Sequence, residues 1–168
     1  MKRLFFALWP DPDTRQQCHQ LSMSLQVAGK PVVATNLHVT LLFLGALDES
    51  KQHAMMQAAG RLFVQPMSLR FDRLDYWRKP AVVCLCTEQV DSTIVSLVDQ
   101  LTEIATQQHI ALDQRPYKPH VTLLRKAKKP PGLEFSPIDW HAKHFCLVES
   151  VSTPVGVEYR VLERWGER

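Results

Sequence analysis

Hydrophobic positions along this 168-residue chain fall into two kinds of segment, short apolar runs and longer stretches with helical spacing. The run at residues 37–47 is nearly continuous, which is typical of a strand buried on both faces. The last two runs alternate between apolar and polar residues, which is typical of an antiparallel pair. Apolar runs bounded by turn residues predict strands at 3–9, 37–47, 68–77, 81–87, 117–124, 144–152 and 157–164.

Three helices are predicted between these strands, and each follows an aspartate that can cap its first turn. The first begins at Asp11 and runs to about residue 26, the second begins at Asp48 and runs to about residue 63, and the third begins at Asp91 and runs to about residue 108. The third helix has the clearest apolar stripe. The predicted order of elements is therefore β-α-β-α-β-β-α-β-β-β.

The order of elements leaves two arrangements of the sheet open. Strands that alternate with helices are compatible with a parallel α/β sheet. However, no Gly-rich turn joins a strand to a helix, and the last two strands are close enough to form a hairpin. We therefore predict an α+β fold with antiparallel sheet and helices packed outside. Residues 1–168 are expected to form one domain, or two small lobes that share a sheet system.

Composition bounds the class of protein and its location. Hydrophobic residues make up 45% of the chain and charged residues 22%, as in an ordinary globular domain. The apolar run at residues 4–9 is far too short to span a membrane. Cys84 and Cys86 alternate within an apolar run and lack C-x-x-C spacing, which favours reduced core residues. We expect a cytoplasmic protein with no membrane partner.

The charge of the chain agrees with an anionic substrate but does not require one. The formal net charge is +3 and the pI is near 8.7, values that many housekeeping proteins share. A basic run, Arg-Lys-Ala-Lys-Lys, covers residues 125–129. We interpret its lysines, Lys126, Lys128 and Lys129, as residues of a solvated loop.

The pentapeptide His-Val-Thr-Leu-Leu occurs twice, beginning at His38 and again at His120. Residues two apart in a strand project from the same face, so His38 shares a face with Thr40, and His120 shares a face with Thr122. Composition alone gives such a match in roughly one chain in a hundred. The flanking sequence is not repeated, which indicates a repeated site and not a solenoid.

Two imidazoles and two hydroxyls from two strands suit acid–base chemistry on an anion held between them. Both protonation states of imidazole are accessible near neutral pH, so one histidine can accept a proton while the other donates one. At a phosphodiester, the hydroxyls of Thr40 and Thr122 can donate to the phosphoryl oxygens. One His-x-Thr pair alone is more often a satisfied core group, but two identical copies favour a site in a cleft. This chemistry needs no metal ion or cofactor, and it leaves open which histidine is the acid.

The two His-Val-Thr-Leu segments resemble the paired H-x-T-x motifs of the two-histidine (2H) phosphoesterase superfamily. Their flanks are similar to those of the RNA 2′,3′-cyclic phosphodiesterases, formerly called 2′-5′ RNA ligases. The similarity extends over nearly the whole chain. The flanking segments that carry it are 3–7, 36–37, 43–45, 119, 124–125, 147–150 and 159–162.

The resemblance implies two pseudo-symmetric lobes of antiparallel sheet, with outer helices and a central cleft. It implies metal-independent hydrolysis of an RNA or nucleotide 2′,3′-cyclic phosphodiester to a 2′-phosphate. In it, His120 would be the proton acceptor that activates water, and His38 the proton donor to the 3′ oxygen. Thr40, Thr122 and Arg125 are the expected substrate-binding residues. Strict alternation sends Arg125 to the face opposite His120, unless a bulge or strand end intervenes.

Two other functions remain open at this stage. The same chemistry in reverse would join RNA ends through a 2′-5′ bond, and a non-catalytic module could bind a nucleotide or RNA in the same cleft. The expected partners are RNA ends or cyclic nucleotides, with no obligatory protein partner. Phe6, Trp77 and Tyr117 could stack on a base, although each is explained equally well as a core or cleft-wall residue.

Overall fold

A computed structural model describes residues 1–166 of the chain, which contain ten strands and three α-helices. The strands are β1 (Lys2–Leu8), β2 (Lys30–Pro31), β3 (Val39–Leu47), β4 (Met67–Phe71), β5 (Arg73–Trp77), β6 (Val82–Cys86), β7 (His120–Arg125), β8 (Ile138–Ala142), β9 (His144–Thr153) and β10 (Gly156–Gly166). The helices are α1 (Pro12–Ser24), α2 (Glu49–Ala59) and α3 (Ser92–Gln107), and a 3₁₀ turn covers Ala34–Asn36.

Aspartate caps fix where the three helices begin. The side chains of Asp11, Asp48 and Asp91 each accept a backbone N–H of the following turn, at 2.8, 2.8 and 2.9 Å. The predicted starts are confirmed. The first two helices end earlier than predicted, because Leu25 is already extended and α2 stops before Gly60, a poor helix former. In residues 1–166 no helix is both long and apolar enough to cross a membrane.

Antiparallel pairing runs through the whole fold, which confirms the α+β prediction. The main sheet has the strand order β10-β9-β1-β3-β7-β6-β5, and β2 adds to β7. Strands β4 and β8 pair separately as a two-stranded sheet. Apolar residues of β4, β8 and all three helices join one core cluster with those of β1, so these elements cover one face of the main sheet.

The prediction of one strand over residues 68–77 is wrong. The chain turns at Asp72, so β4 joins the small sheet and β5 joins the main one. Asp72 stabilises this turn because its N–H donates to the Cys86 carbonyl at 3.1 Å and its carboxylate accepts the Glu88 N–H at 3.1 Å. Strand β8 was not predicted; only Lys143 separates it from β9, and its alternating residues become a strand by pairing with β4.

Strand β1 is buried on both faces and anchors the first half of the sheet. Leu4, Phe6 and Leu8 pack into the core on the helix side. Phe5 and Ala7 belong to a second apolar cluster on the opposite face. Full burial of each large apolar side chain contributes roughly 1.5 to 3 kcal/mol. Phe5 and Ala7, which β1 presents on the side opposite the helices, are therefore held in fixed positions.

The main sheet consists of two halves that meet at its centre. Strands β10, β9, β1 and β3 form one half, and β7, β6 and β5 form the other. Among residues 1–166, a single residue pair, Val39 opposite Val121, joins β3 to β7. The two motif strands therefore diverge on either side of this pair, which opens a cleft between the halves. These halves correspond to the two lobes that the resemblance implies.

Candidate active site

The two motif strands meet at the valines of the two repeats, which lie directly opposite each other. Because the pairing is antiparallel, the residues on either side are matched crosswise, with His38 beside Thr122 and Thr40 beside His120. Directly opposed residues, and residues two apart on one strand, share a face of the sheet. All four side chains therefore project to the same side, away from the helices. The repeated sequence thus produces a local two-fold arrangement.

The four side chains open into a cleft of about 1440 Å³ between the two halves of the sheet. His38, Thr40, His120, Thr122 and Arg125 all line this cleft. The structure therefore brings together every residue that the sequence singled out for the site. Their catalytic and binding roles stay predictions.

Both histidines are held in the same tautomer by the same kind of hydrogen bond. Nδ1 of His38 lies 2.7 Å from the carbonyl oxygen of Asn36, and Nδ1 of His120 lies 2.8 Å from that of Lys118. A carbonyl oxygen only accepts, so each Nδ1 carries a proton and donates it. The nitrogen left for chemistry is therefore Nε2 in both rings. In both motifs the accepting carbonyl is two residues before the histidine.

His38 lies in an aromatic box. Its ring centroid is 5.0 Å from that of Phe5, 5.7 Å from that of Trp9 in a stacked arrangement, and 5.1 Å from that of Tyr159 in a T-shaped arrangement. Its Nε2 lies 2.9 Å from the Thr40 hydroxyl. Since Nε2 of the neutral ring has no proton, Thr40 donates this bond.

Burial lowers the pKa of both histidines. The pKa of His38 falls to about 4, chiefly by burial, while the Asn36 hydrogen bond opposes the shift and the positive charges of His120, Arg125 and Arg15 add to it. The pKa of His120 is also lowered by burial, with a smaller contribution from Arg125. Both rings are therefore mostly neutral at pH 7 in the free protein. An anion bound between them would favour the protonated form.

Fewer aromatic rings contact His120 than contact His38. One aromatic ring lies against it, that of Trp77, with ring centroids 4.5 Å apart. The Thr122 hydroxyl lies 3.9 Å from Sγ of Cys84, its cross-strand partner, and does not contact the His120 ring in the way Thr40 contacts His38. The Thr122 hydroxyl is therefore held only weakly before a substrate arrives.

A β-bulge brings Arg125 into the cleft. Strand β7 carries one extra residue, Leu123, relative to its partner β6. A bulge of this kind reverses the alternation of faces for the residues that follow it. Arg125 therefore projects to the same side as His120 and lines the cleft. This resolves the conflict with strict alternation.

Arg15 fixes the backbone segment before His38, a role that the sequence did not reveal. Its Nη1 donates to the carbonyl oxygens of Ala34 and Leu37, the latter at 3.2 Å. The guanidinium carbon also lies 5.3 Å from the ring centroid of Trp9. Arg15 thus holds both the turn that leads into His38 and the ring that stacks on it.

The aromatic residues proposed to stack on a base have different positions. Phe6 faces the helices and is fully buried, so its neighbour Phe5 supplies the cleft wall. Trp77 lies against His120, and Tyr117 lines the cleft while its hydroxyl donates to the Thr40 carbonyl at 3.0 Å. The pairing of β1 with its neighbouring strands decides whether Phe5 or Phe6 faces the cleft. The sequence pattern does not reveal this, because both residues are apolar.

Known proteins resemble this chain over almost its whole length. A family model described as the 2′-5′ RNA ligase superfamily matches residues 9–153. An RNA 2′,3′-cyclic phosphodiesterase of Escherichia coli strain K12 is 33% identical over 98% of this chain and 96% of its own. The crystal structure of E. coli LigT complexed with 3′-AMP superposes with a TM-score of 0.88 at 31% identity, over 98% of this chain and 97% of that chain. The apo form gives a TM-score of 0.87 at 32% identity, over 98% and 96%.

Proposed function

The chain belongs to the 2′-5′ RNA ligase superfamily, and we propose that it hydrolyses the 2′,3′-cyclic phosphate at RNA ends, leaving a 2′-phosphate. The observation that carries the proposal is the crosswise pairing of two His-x-Thr motifs on one face, where the two halves of the sheet meet. RNA ends or cyclic nucleotides are the substrates. Residues 1–168 act as one catalytic domain with two lobes.

In the proposed reaction, a water oxygen bonds to phosphorus while Nε2 of His120 accepts its proton. The bond between phosphorus and the 3′ oxygen breaks, and its electron pair stays on that oxygen. Nε2 of His38 donates a proton to it. The products are a 2′-phosphate and a 3′-hydroxyl, and proton exchange with solvent restores both histidines.

His38 must carry two protons before it can act as the acid, although its pKa in the free protein is about 4. The negative charge of the cyclic phosphate supplies the missing stabilisation, because a nearby anion favours imidazolium. The hydrogen bonds at Nδ1 are alike in His38 and His120, so they support either assignment of roles. The assignment used here is the one implied by the family resemblance.

Protonation of His38 also releases Thr40 for substrate binding. In the neutral ring, Nε2 accepts a hydrogen bond from the Thr40 hydroxyl. In the imidazolium, Nε2 carries a proton and can no longer accept that bond. The hydroxyl then becomes free to donate to a phosphoryl oxygen. Thr122 supplies the matching donor from the other half, and the Arg125 guanidinium balances the charge of the phosphate.

The test is an assay with an RNA that ends in a 2′,3′-cyclic phosphate, in excess chelator. We expect a 2′-phosphate as product, retained activity without metal ions, and loss of the product in both His38→Ala and His120→Ala. A 3′-phosphate would show that the other oxygen leaves. No product together with retained nucleotide binding would favour the non-catalytic module, and joined RNA ends would favour the ligase.

A cytoplasmic location is part of the proposal. Cys84 and Cys86 are buried thiols in β6, and burial raises the pKa of Cys84 to about 11 and that of Cys86 to about 12. Unreactive core thiols of this kind suit a compartment that keeps cysteines reduced. Independence from a protein partner stays a prediction.

A further inference from the structure

Several lysines that the proposed reaction does not use gather around Arg125 at the end of the cleft. Lys30 of β2 lies opposite Arg125 of β7 in the strand register. The segment after β7 then runs between residues 28–30 on one side and Ala81 on the other. We define the basic patch as Lys30, Lys79, Arg125, Lys126, Lys128 and Lys129.

The backbone beneath the basic patch is fixed on both sides. The Ala127 N–H donates to the Ala81 carbonyl and the Lys128 N–H to the Ala28 carbonyl, both at 2.9 Å. The Tyr76 hydroxyl donates to the Ala127 carbonyl at 2.9 Å. Ala127 is buried, whereas the lysines on either side of it are exposed. The segment is therefore an ordered platform that presents lysines, and not only a solvated loop.

Gly29 allows the strand that carries Lys30 to lie close to this platform. A Cβ at Gly29 would be 3.1 Å from the Cβ of Ala127 and 3.4 Å from the Arg125 carbonyl oxygen. Such distances are tighter than most real Cβ contacts, so a larger residue would push the two segments apart. The close approach brings Lys30 beside the cations that follow β7.

The charge of the basic patch is not balanced by nearby acids. Among residues 1–166, the ion pairs lie elsewhere, and no cation of the patch contacts a carboxylate. Concentrated charge of one sign attracts a polyanion.

The basic patch is continuous with the cleft. Arg125 and Lys79 belong to the patch and also line the cleft, together with Trp77. Trp77 in turn lies against His120. A cationic track with an interleaved aromatic ring is the usual surface for a single nucleic-acid strand. The path from the reacting phosphate out of the cleft therefore leads onto the patch.

We propose that the basic patch binds the phosphate backbone of the RNA strand on the 5′ side of the cyclic phosphate, so that the protein favours RNA ends over free cyclic nucleotides. This inference rests on the proposed function, because the reacting end must occupy the cleft. The strand then leaves the cleft between Lys79 and Arg125 and crosses the lysines beyond them.

The test compares two triple variants with the same change in net charge. The patch variant replaces Lys30, Lys128 and Lys129 with Gln, none of which lines the cleft. The matched control replaces Lys2, Lys51 and Arg61 with Gln, which lie outside both the patch and the cleft. The probe for binding is a 5′-fluorescent RNA of about ten nucleotides that ends in a 2′-phosphate, titrated at several salt concentrations. Hydrolysis of 2′,3′-cyclic AMP is measured in parallel.

For the patch variant we expect affinity for the RNA to fall at least about tenfold at low salt. The slope of log K against log salt should become shallower by about 2, since each lost single-strand contact contributes about 0.7. Hydrolysis of 2′,3′-cyclic AMP should stay within about twofold of wild type, because a mononucleotide has no backbone to reach the patch. The control variant should match wild type in both assays.

Two results would overturn the inference. Equal losses of RNA affinity in the patch and control variants would mean that net charge alone matters. If the patch variant loses RNA affinity and 2′,3′-cyclic AMP hydrolysis by the same factor, these lysines act on the cleft itself. If wild type hydrolyses neither 2′,3′-cyclic AMP nor an RNA that ends in a 2′,3′-cyclic phosphate, the proposed function fails, whereas the titration with the 2′-phosphate RNA still decides whether the patch binds a strand.

Discussion

The two half-sites of the cleft have the same sequence but different surroundings. In both, a carbonyl two residues before the histidine holds Nδ1 and leaves Nε2 for the cleft. His38, however, lies among Phe5, Trp9 and Tyr159, whereas the aromatic contact of His120 is with Trp77. The repeated pentapeptide thus sets the orientation and tautomer, and residues outside it set proton affinity.

This difference gives the two histidines different electrostatic properties. The aromatic box excludes water from His38 and lowers its pKa to about 4, a shift large enough to keep the free ring neutral under most conditions. In the proposed reaction the same residue must donate a proton. His38 therefore gains its second proton when the anionic substrate binds, so its protonation is coupled to substrate binding.

The largest effect should come from a change of leaving group. An RNA analogue with sulfur in place of the 3′ oxygen releases a thiolate, which needs no proton because thiols are far more acidic than alcohols. On the normal substrate, His38→Ala and His120→Ala should each lose about 10² to 10⁴ in rate. On the sulfur analogue, His38→Ala should recover most of its loss, whereas His120→Ala should not. Single-turnover rates check this, and recovery in His120→Ala alone would exchange the two roles.

A second effect concerns stability as a function of pH. His38 is neutral in the folded protein down to about pH 4, whereas it titrates near 6.5 when unfolded. Its contribution to stability is therefore full above pH 6.5 and is lost as the pH falls toward 4, by about 3 kcal/mol. The free energy of unfolding can be measured with urea near pH 6.5 and near pH 4. Between these two values it should fall by about 3 kcal/mol less in His38→Gln than in wild type. His120→Gln should show a smaller difference, and equal differences would contradict the contrast between the half-sites.

The sequence predicted those features that depend on interactions between residues close together in the chain. The aspartate caps gave the starts of three helices, and strand alternation put each histidine on the same face as its threonine. The break at Asp72 could not be predicted, since pairing with distant strands decides where β4 ends. The aromatic box was also invisible, because Phe5, Trp9 and Tyr159 come from opposite ends of the chain and meet only through the order β10-β9-β1-β3.

The third effect distinguishes the two threonines. Thr40 donates to Nε2 of the neutral His38 ring at 2.9 Å, so Thr40→Val removes a bond worth about 1 kcal/mol to the neutral form. The pKa of His38 should rise as a result. Thr122→Val should leave the pKa of His120 unchanged, since its hydroxyl lies near Cys84. Imidazole NMR titrations of both variants check this, and a rise at His120 in Thr122→Val would show that the two hydroxyls are equivalent.

The smallest effect concerns Tyr159, and two substitutions distinguish the contribution of its ring from that of its hydroxyl. Tyr159→Phe keeps the edge contact with His38, so the pKa of His38 should not move and stability should change by no more than about 0.5 kcal/mol. Tyr159→Leu removes the ring and admits water, so the pKa of His38 should rise toward its ordinary value while that of His120 stays constant. NMR titration of both histidines in the two variants measures this directly. An unchanged His38 in Tyr159→Leu would assign the low proton affinity to Phe5 and Trp9, and therefore to β1 and the residue after it rather than to β10.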